Sequence, residues 1–276
     1  LPSAAREVHT REFQLCAPGA AGCRAQLRAR HQRDALLQRL DDFLALRGVP
    51  FCGPVLREVS MQALLIERGP EALRVEAERA AAAGFRAAKI KLGAASLDED
   101  LARAGAARLG LGPGIRLRGD ANGAWNESTA GEALAAVEQF DFDFVEQPLP
   151  ADNVAGLARL RRRSTVRIAV DESVSTEEGA LRVIAADAAQ VFVLKPAMLG
   201  GSARALEIAT LVRKAGGDVV FSHAFESAVG ARHALHCAAA WGDATAQHGL
   251  RTAGLFVRDV ADPVDCRDGR VVLMAT

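Results

Sequence analysis

The sequence predicts an α/β protein of the (β/α)7–8 TIM-barrel type, with one parallel sheet inside a ring of helices. From about residue 58, short apolar runs alternate with Ala-rich amphipathic stretches, an order that is typical of right-handed βαβ units. The apolar runs are continuous, as expected for parallel strands that are buried on both faces. A doubly wound open sheet would favour a glycine-rich first turn, and the sequence contains neither GxGxxG nor GxxxxGKS/T.

The predicted elements follow one another in regular order. The predicted strands are Val59–Leu65, Ala87–Leu92, Ile115–Arg118, Phe142–Val145, Arg167–Val170, Val191–Leu194 and Val219–Ser222. An eighth strand is expected near Ala244–Gln247, where the apolar signal is weak. Helices are predicted over 70–83, 97–109, 128–140, 153–162, 176–186, 202–215 and 227–240, and a leading helix over 29–47 ends before Gly48 and Pro50.

Composition excludes several classes of protein. The 276 residues carry 34 Lys and Arg against 34 Asp and Glu, and half of the residues are hydrophobic. A disordered chain would be less hydrophobic, and a nucleic-acid partner would favour a basic surplus. No apolar run reaches the ~18 residues of a membrane span, so we expect no membrane partner. Five Cys without a CxxC pair favour reduced thiols and a cytoplasmic protein.

Polar residues stand where the predicted strands end. Each follows its predecessor by one βα unit, at intervals of 24 to 29 residues, and they are Lys91, Asp120, Glu146, Asp171, Lys195 and Ser222. Lys89 lies two residues before the first of them. Because the carboxyl ends of the strands meet on one face of a barrel, these side chains are expected to surround one active site.

Three neighbouring carboxylates in this set indicate a metal site. Asp120, Glu146 and Asp171 would repel one another on strands ~4.8 Å apart, and Mg²⁺ would relieve the repulsion with oxygen ligands. Lys91 and Lys195 lie four strands apart in an eight-stranded ring and would face each other. The interpretation is a small carboxylate substrate held on the metal, with one lysine removing its α-proton and the other stabilising the resulting anion.

These residues resemble the enolase superfamily, in its muconate-lactonising-enzyme-like subgroup. The matching segments are Lys89-Ile90-Lys91, Asp120-Ala121-Asn122, Glu146-Gln147-Pro148, Asp171-Glu172-Ser173 and Lys195-Pro196. Within the subgroup the chain is most similar to the o-succinylbenzoate synthase family. That similarity lies in the segment from Ser222 to Gly230 and in the glycine-rich segment from Gln247 to Phe256.

The resemblance implies a metal-dependent lyase of menaquinone biosynthesis. The implied reaction is syn dehydration of 2-succinyl-6-hydroxy-2,4-cyclohexadiene-1-carboxylate, with Mg²⁺, or Mn²⁺ in its place, as the cofactor. Lys91 would be base and then acid, Lys195 would stabilise the anion, and Lys89 would support the substrate carboxylate. Asn122 and Glu172 would contact these lysines and carboxylates without touching the substrate. Ser222 and Glu226 are predicted to line the mouth and contact substrate.

The chain departs from the family pattern in three places. Gly119 stands where an apolar residue usually precedes the aspartate, and His223 stands where a serine is usual. The family also carries an N-terminal α+β capping domain of about a hundred residues or more, whereas only about 55 residues precede the first predicted strand. We therefore expect residues 1–55 to be an incomplete remnant of that truncated cap, and residues 56–276 to be the barrel with a C-terminal tail.

Three alternatives stay open. An N-acylamino acid racemase or another muconate-cycloisomerase-like enzyme would use both lysines, one on each face of the substrate. A Schiff-base aldolase would use Lys195 as the nucleophile, although the carboxylate trio argues against it. A barrel without turnover, binding metal only, is the non-enzymatic alternative.

Overall fold

The computed structural model describes residues 56–251, 259–262 and 264–273, and these form a parallel sheet surrounded by helices. Seven strands follow chain order in the sheet: β2 (Ala63–Leu64), β3 (Ala87–Lys91), β4 (Arg116–Asp120), β5 (Phe142–Glu146), β6 (Ile168–Val170), β7 (Val191–Leu194) and β8 (Asp218–Phe221). Two further strands, β1 (Glu58–Ser60) and β9 (Arg270–Val272), pair antiparallel outside it. The predicted α/β architecture is confirmed.

Helices alternate with the strands of the sheet. They are α1 (Pro70–Ala82), α2 (Leu97–Leu111), α3 (Glu127–Val137), α4 (Val154–Arg163), α5 (Glu177–Ala185), α6 (Ser202–Lys214) and α7 (Ala228–Trp241). Side-chain caps set where four of them begin. Ser96 forms a capping box with Glu99, and Asn126, Asn153 and Thr176 each accept a backbone N–H of the following turn. Each cap contributes about 1 kcal/mol, so the helices begin close to their predicted starts.

The first predicted strand, Val59–Leu65, is wrong as a single element. Ser60 pairs with Arg270 in the antiparallel ladder, whereas Ala63 pairs with Ala88 in the parallel sheet. The chain changes partner between them: Met61 N donates to Gly269 O at 2.8 Å, and Gln62 N donates to His248 O at 2.9 Å. One continuous apolar run therefore serves two sheets, a division that its composition does not reveal.

The eighth strand predicted near Ala244–Gln247 lies directly after that segment. His248 bridges to Met61 and Gly249 bridges to Ser222, both in the parallel direction. Residues 244–247 themselves hold no strand, because Asp243 closes a turn by accepting from Thr245 N and Thr245 Oγ1. Residues 248–249 therefore connect Met61, just before β2, with Ser222, just after β8, and so join the two edges of the curled sheet. The result is a TIM-barrel-like fold.

Small residues let the helices pack closely. Gly110 of α2 faces α1, where an added Cβ would lie 2.4 Å from Arg74 O and 2.8 Å from Ala77 Cβ. We expect Gly110→Ala to lower the free energy of unfolding by about 1–3 kcal/mol, because overpacking forces the two helices apart. Gly131 of α3 is the matched control, since nothing lies within 4 Å of its added Cβ. Gly131→Ala should stabilise by about 0.5–1 kcal/mol in the same urea titration; equal effects at both sites would contradict the prediction.

Several predictions lie outside the described residues. These are the helix over 29–47, the cap remnant over 1–55, and Cys16, Cys23 and Cys52. Of the described cysteines, Cys237 is buried and Cys266 is half-buried, and both are free thiols. None of the helices in the described ranges is long and apolar enough to span a bilayer.

Candidate active site

A cavity of about 170 Å³ lies at the carboxyl ends of the parallel strands. Seven residues predicted for the site line it: Lys89, Lys91, Asp120, Asn122, Asp171, Lys195 and Ser222. The strand register explains this convergence. Lys91 lies opposite Asp120, and Asp120 lies opposite Glu146, while Asp171 and Lys195 directly follow β6 and β7. Of the described cavities this one lies at the barrel end where active sites of this architecture are built.

Lys89 is buried between two carboxylates. Its Nζ lies 2.9 Å from Glu146 Oε2, 3.1 Å from Glu146 Oε1 and 3.1 Å from Asp120 Oδ2. Burial alone would lower the pKa of Lys89, but Glu146 and Asp120 more than offset it and hold the pKa above its ordinary value. Lys89 therefore stays an ammonium, suited to binding an anion and unsuited to removing a proton.

Lys91 is in a different environment although it lies only two residues along. Its side chain is 47% exposed, and its Nζ donates to Asp120 Oδ2 at 2.7 Å and to Asn122 Oδ1 at 2.5 Å. Asn122, at φ 45°, is held in turn by a 3.0 Å bond from its Nδ2 to Glu172 Oε1. Asp120 and Asn122 thus fix the position of Lys91 Nζ, and one side of this nitrogen is open to the cavity.

Lys195 is anchored on another strand by a separate carboxylate. Its Nζ lies 2.5 Å from Asp171 Oδ2, and its side chain is mostly buried. Lys91 and Lys195 therefore enter the same cavity from different strands, each beside its own aspartate. A molecule in the cavity would therefore contact both lysine side chains.

The three carboxylates respond differently to their surroundings. Burial works against ionisation of Asp120, but Lys89 and Lys91 more than offset it and lower its pKa. For Glu146, burial is the largest influence, and together with the charges of Asp120 and Asp171 it raises the pKa despite Lys89. Glu146 therefore has less positive charge around it than ionisation needs. Among the described residues, no three Asp, Glu, His or Cys side chains are already gathered in a metal-binding arrangement.

Gln147 holds Asp171 in place, a role that the sequence pattern did not assign. Its Oε1 accepts from Asp171 N at 3.0 Å and Ser173 N at 3.1 Å, while its Nε2 donates to Leu149 O and Ser173 Oγ, both at 2.8 Å. The residue is fully buried at φ 42°. Its place in the segment Glu146-Gln147-Pro148 was the available signal.

Replacing Gln147 should destabilise the protein, because its side chain holds the backbone around Asp171. We expect Gln147→Leu to lower the free energy of unfolding by about 2–4 kcal/mol, because several buried polar groups lose their partners together. Urea unfolding measures the loss. Gln139→Leu is the control, since its Nε2 donates only to Ala136 O on an exposed helix end. A loss at Gln147 no larger than at Gln139 would contradict the role.

Of the two residues after β8 that were predicted to line the mouth, one lines the cavity and the other does not. Ser222 lines the cavity, and its Oγ donates to Gly249 O at 3.0 Å. Glu226 is buried and is not among the lining residues; its Oε1 accepts from Ala224 N at 3.3 Å. His223 lines the cavity and is buried, and burial, aided by the charge of Lys195, lowers its pKa. It is therefore a neutral imidazole at neutral pH.

Further polar residues of the site were missed. Arg103 Nη1 donates to Lys91 O at 2.7 Å, and Asp100 Oδ2 accepts from Gly93 N at 2.6 Å, so α2 fixes the loop after β3. Arg118 is buried inside the sheet below Asp120. Its position two residues before Asp120 on the same strand face was the signal that could have identified it. Gln62 and Arg251 also line the cavity.

The departure at Gly119 has a local explanation. An added Cβ would lie 2.5 Å from Leu92 Cδ1 and 3.1 Å from Phe142 Cε1. Those two side chains fill the space that an apolar residue would take at this position. The strand therefore keeps its course into Asp120 without a side chain at residue 119.

The fold and the cavity together define a TIM-barrel-like α/β protein with a lysine- and carboxylate-lined site at the carboxyl ends of its strands. Residues 72–276 match the sequence profile of the family described as enolase C-terminal domain-like. The chain belongs to this family, as the resemblance of its strand-end motifs predicted.

Within this family, the chain is similar in sequence to curated o-succinylbenzoate synthases. The chain is 42% identical over 207 residues to the o-succinylbenzoate synthase of Mycolicibacterium smegmatis, which covers 74% of the chain and 60% of that protein. It is 40% identical over 212 residues to the o-succinylbenzoate synthase of Thermobifida fusca, covering 76% of the chain and 64% of the relative. The chain thus spans about 60% of the length of these relatives.

The fold is also similar to solved structures of a muconate cycloisomerase and a dipeptide epimerase. The muconate cycloisomerase of Pseudomonas fluorescens aligns with a TM-score of 0.76 at 28% identity, over 81% of this chain and 63% of that one. A dipeptide epimerase from Enterococcus faecalis V583 aligns with a TM-score of 0.68 at 29% identity, over 74% of this chain and 61% of that one.

Proposed function

We propose that the chain carries the catalytic barrel of an o-succinylbenzoate synthase, a metal-dependent carbon–oxygen lyase. The reaction is syn dehydration of 2-succinyl-6-hydroxy-2,4-cyclohexadiene-1-carboxylate to 2-succinylbenzoate. The observation that carries the proposal is the pair Lys91 and Lys195, which line one cavity beside Asp120 and Asp171. The ~40% identity to curated synthases supports the choice of substrate. Residues 56–276 form the barrel in this proposal, and residues 1–55 belong to a capping domain.

The donor set fits a hard divalent cation such as Mg²⁺, with Mn²⁺ as a substitute. Asp120, Glu146 and Asp171 offer carboxylate oxygens at the ends of three successive strands, and the raised pKa of Glu146 marks a local shortage of positive charge. When bound, the ion would hold the substrate carboxylate and withdraw charge from it, so that the adjacent C–H becomes more acidic.

Lys91 is the proton-transfer residue of the proposal. In its amine form it removes the proton from the ring carbon that bears the carboxylate. The same group then returns the proton to the departing hydroxyl, which leaves as water, so that a single lysine on one face accounts for a syn elimination. Its open side toward the cavity allows this contact, and Asn122 directs Nζ from behind.

The other residues hold charge and position. Lys195 stabilises the negative charge that develops on the substrate after proton removal. Lys89 remains protonated between Asp120 and Glu146, where it attracts the substrate carboxylate. Glu172 supports Asn122 through the 3.0 Å hydrogen bond, and Ser222 bounds the cavity on the β8 side. Glu226 supports the β8 loop from its buried position.

A dehydration assay tests the proposal directly. The 276-residue chain is mixed with the cyclohexadiene substrate and Mg²⁺, and formation of 2-succinylbenzoate is followed by its ultraviolet absorbance. We expect turnover that a chelator abolishes and added Mg²⁺ restores. Mg²⁺ binding without turnover would instead identify a barrel that binds metal only, and turnover that survives chelation would contradict the metal-dependent reaction.

Racemisation is the second candidate, and the placement of two lysines beside separate aspartates favours it. Lys91 and Lys195 could exchange an α-proton from opposite faces of an N-acylamino acid. Incubating the chain with one enantiomer in D₂O separates the two functions. Exchange of the α-proton with loss of optical rotation indicates racemisation, whereas dehydration alone leaves this substrate unchanged.

A further inference from the structure

Gln62 is a buried amide at the floor of the cavity to which no role has been assigned. It lies where the chain passes from β1 to β2, only 5% exposed, and it lines the cavity together with Lys89 and Ser222. Its backbone N–H is used in the bond to His248 O. Its side chain is therefore fixed at the base and reaches the space in which a substrate would lie.

Arg118 determines which way the amide faces. Arg118 Nη1 donates to Gln62 Oε1 at 2.7 Å, and the guanidinium is itself held by Gln247 O at 2.7 Å and Asp143 Oδ2 at 2.9 Å. A guanidinium has donors only, so the amide oxygen must face it. The amide nitrogen is therefore directed away from Arg118.

The nitrogen end of the amide points toward Gly249. A Cβ added to Gly249 would lie 3.0 Å from Gln62 Nε2 and 2.9 Å from Ser222 Oγ, so the absence of a side chain keeps this corner open. Ser222 Oγ already donates to Gly249 O. Within the described ranges, Gln62 Nε2 makes no hydrogen bond to a protein acceptor, which leaves a neutral donor oriented in the cavity.

We propose that Gln62 is a specificity-determining residue whose Nε2 donates a hydrogen bond to the ketone oxygen of the substrate side chain, with Arg118 as the positioning residue behind it. The assignment rests on the proposed function. Charge decides between the substrate's oxygens: its carboxylates form stronger, charge-assisted bonds with the cationic groups of Lys89 and Lys195. The ketone is the uncharged acceptor, and the amide is the matching uncharged donor.

The test measures binding of two ligands that differ only at that oxygen. The first is the product, 2-succinylbenzoate, and the second is 2-(3-carboxypropyl)benzoate, in which CH₂ replaces the ketone. Calorimetry in Mg²⁺ compares the full chain with Gln62→Met. We expect the variant to bind the product about 10-fold more weakly and the CH₂ ligand unchanged, since one neutral hydrogen bond is lost. KM for dehydration should rise by more than kcat falls.

Two further variants keep the test decisive. Gln62→Glu retains an acceptor for Arg118 while removing the donor, so it should also lose product affinity and covers the case in which Gln62→Met fails to fold. Gln190→Met is the matched control: Gln190 Oε1 accepts from Ile168 N at 2.8 Å at the opposite ends of the strands. It should leave both affinities unchanged.

The outcomes separate the two proposals. If Gln62→Met weakened the binding of both ligands equally, or weakened the binding of neither, the role of Gln62 would be overturned. The proposed function would still stand in that case, provided that the parent chain is active. A parent chain that neither dehydrates the substrate nor binds the product would overturn both. Selective loss of the ketone ligand in both Gln62 variants, with the Gln190 control unchanged, supports the assignment.

Discussion

Replacing Lys91 with alanine should lower kcat for dehydration by about 1000-fold while Mg²⁺ still binds. The reason is that proton removal and proton return both depend on this amine, and a positioned acid–base group contributes about 10²–10⁴-fold. Metal binding should survive, because Asp120 keeps Lys89 as its buried partner and the Lys91 side chain is half exposed. Steady-state kinetics and calorimetric Mg²⁺ titration measure the two effects separately.

Lys91→Arg sharpens the same test. Arginine keeps a cation beside Asp120, but it does not give up its proton at accessible pH. It should therefore be as inactive as Lys91→Ala, although the charge of the site is preserved. Lys214→Ala, at the exposed end of α6, is the control for general effects of losing a lysine. Activity near that of the parent chain in Lys91→Arg would show that Lys91 acts as a charge and not as the base.

Much of the architecture could be predicted because its cause is local. Continuous apolar runs and capped amphipathic helices fix the order of elements, and one βα unit per interval places Lys91, Asp120, Asp171 and Lys195 at one end of the sheet. Parallel pairing then brings them together without further information. The strand-end pattern was sufficient for these residues since their position follows from strand count alone.

The remainder depends on contacts between distant parts of the chain. The division between β1 and β2 depends on Gly269 and His248, which lie about two hundred residues away. Glu226 turns toward Ala224 rather than lining the cavity, a rotation that its strand position does not determine. Arg118 lies in a predicted strand, but its bond to Gln62 requires the barrel to bring together residues 56 positions apart. Such partners have no signature in one sequence.

The same long-range dependence makes Glu146 the most sensitive of the three carboxylates. It is 1% exposed, and both of its oxygens lie near Lys89 Nζ, so no water takes the place of a missing partner. We expect Glu146→Gln to weaken Mg²⁺ binding by at least about 10- to 100-fold, the loss typical when only an outer partner of a metal ligand is removed. Dehydration at a fixed low Mg²⁺ concentration should fall with it.

Stability and metal affinity should change together in this variant. The neutral amide leaves Lys89 with Asp120 as its remaining carboxylate partner among the described residues. Because burial already raises the pKa of Glu146, the loss of stability without metal should be about 1–3 kcal/mol, the cost of a lost buried hydrogen-bond partner and not of a full ion pair. Urea unfolding without metal measures that cost, and Mg²⁺ titration followed by calorimetry measures the affinity. Glu146→Asp retains the carboxylate with a shorter side chain, so its Mg²⁺ affinity and its stability should lie between those of the parent chain and of Glu146→Gln. Glu138→Gln, on the exposed outer surface, is the control and should match the parent chain. If Glu146→Gln bound Mg²⁺ as tightly as the parent, Glu146 would be a structural partner of Lys89 alone. The metal would then have to be held without it, by oxygens that include Asp120 and Asp171.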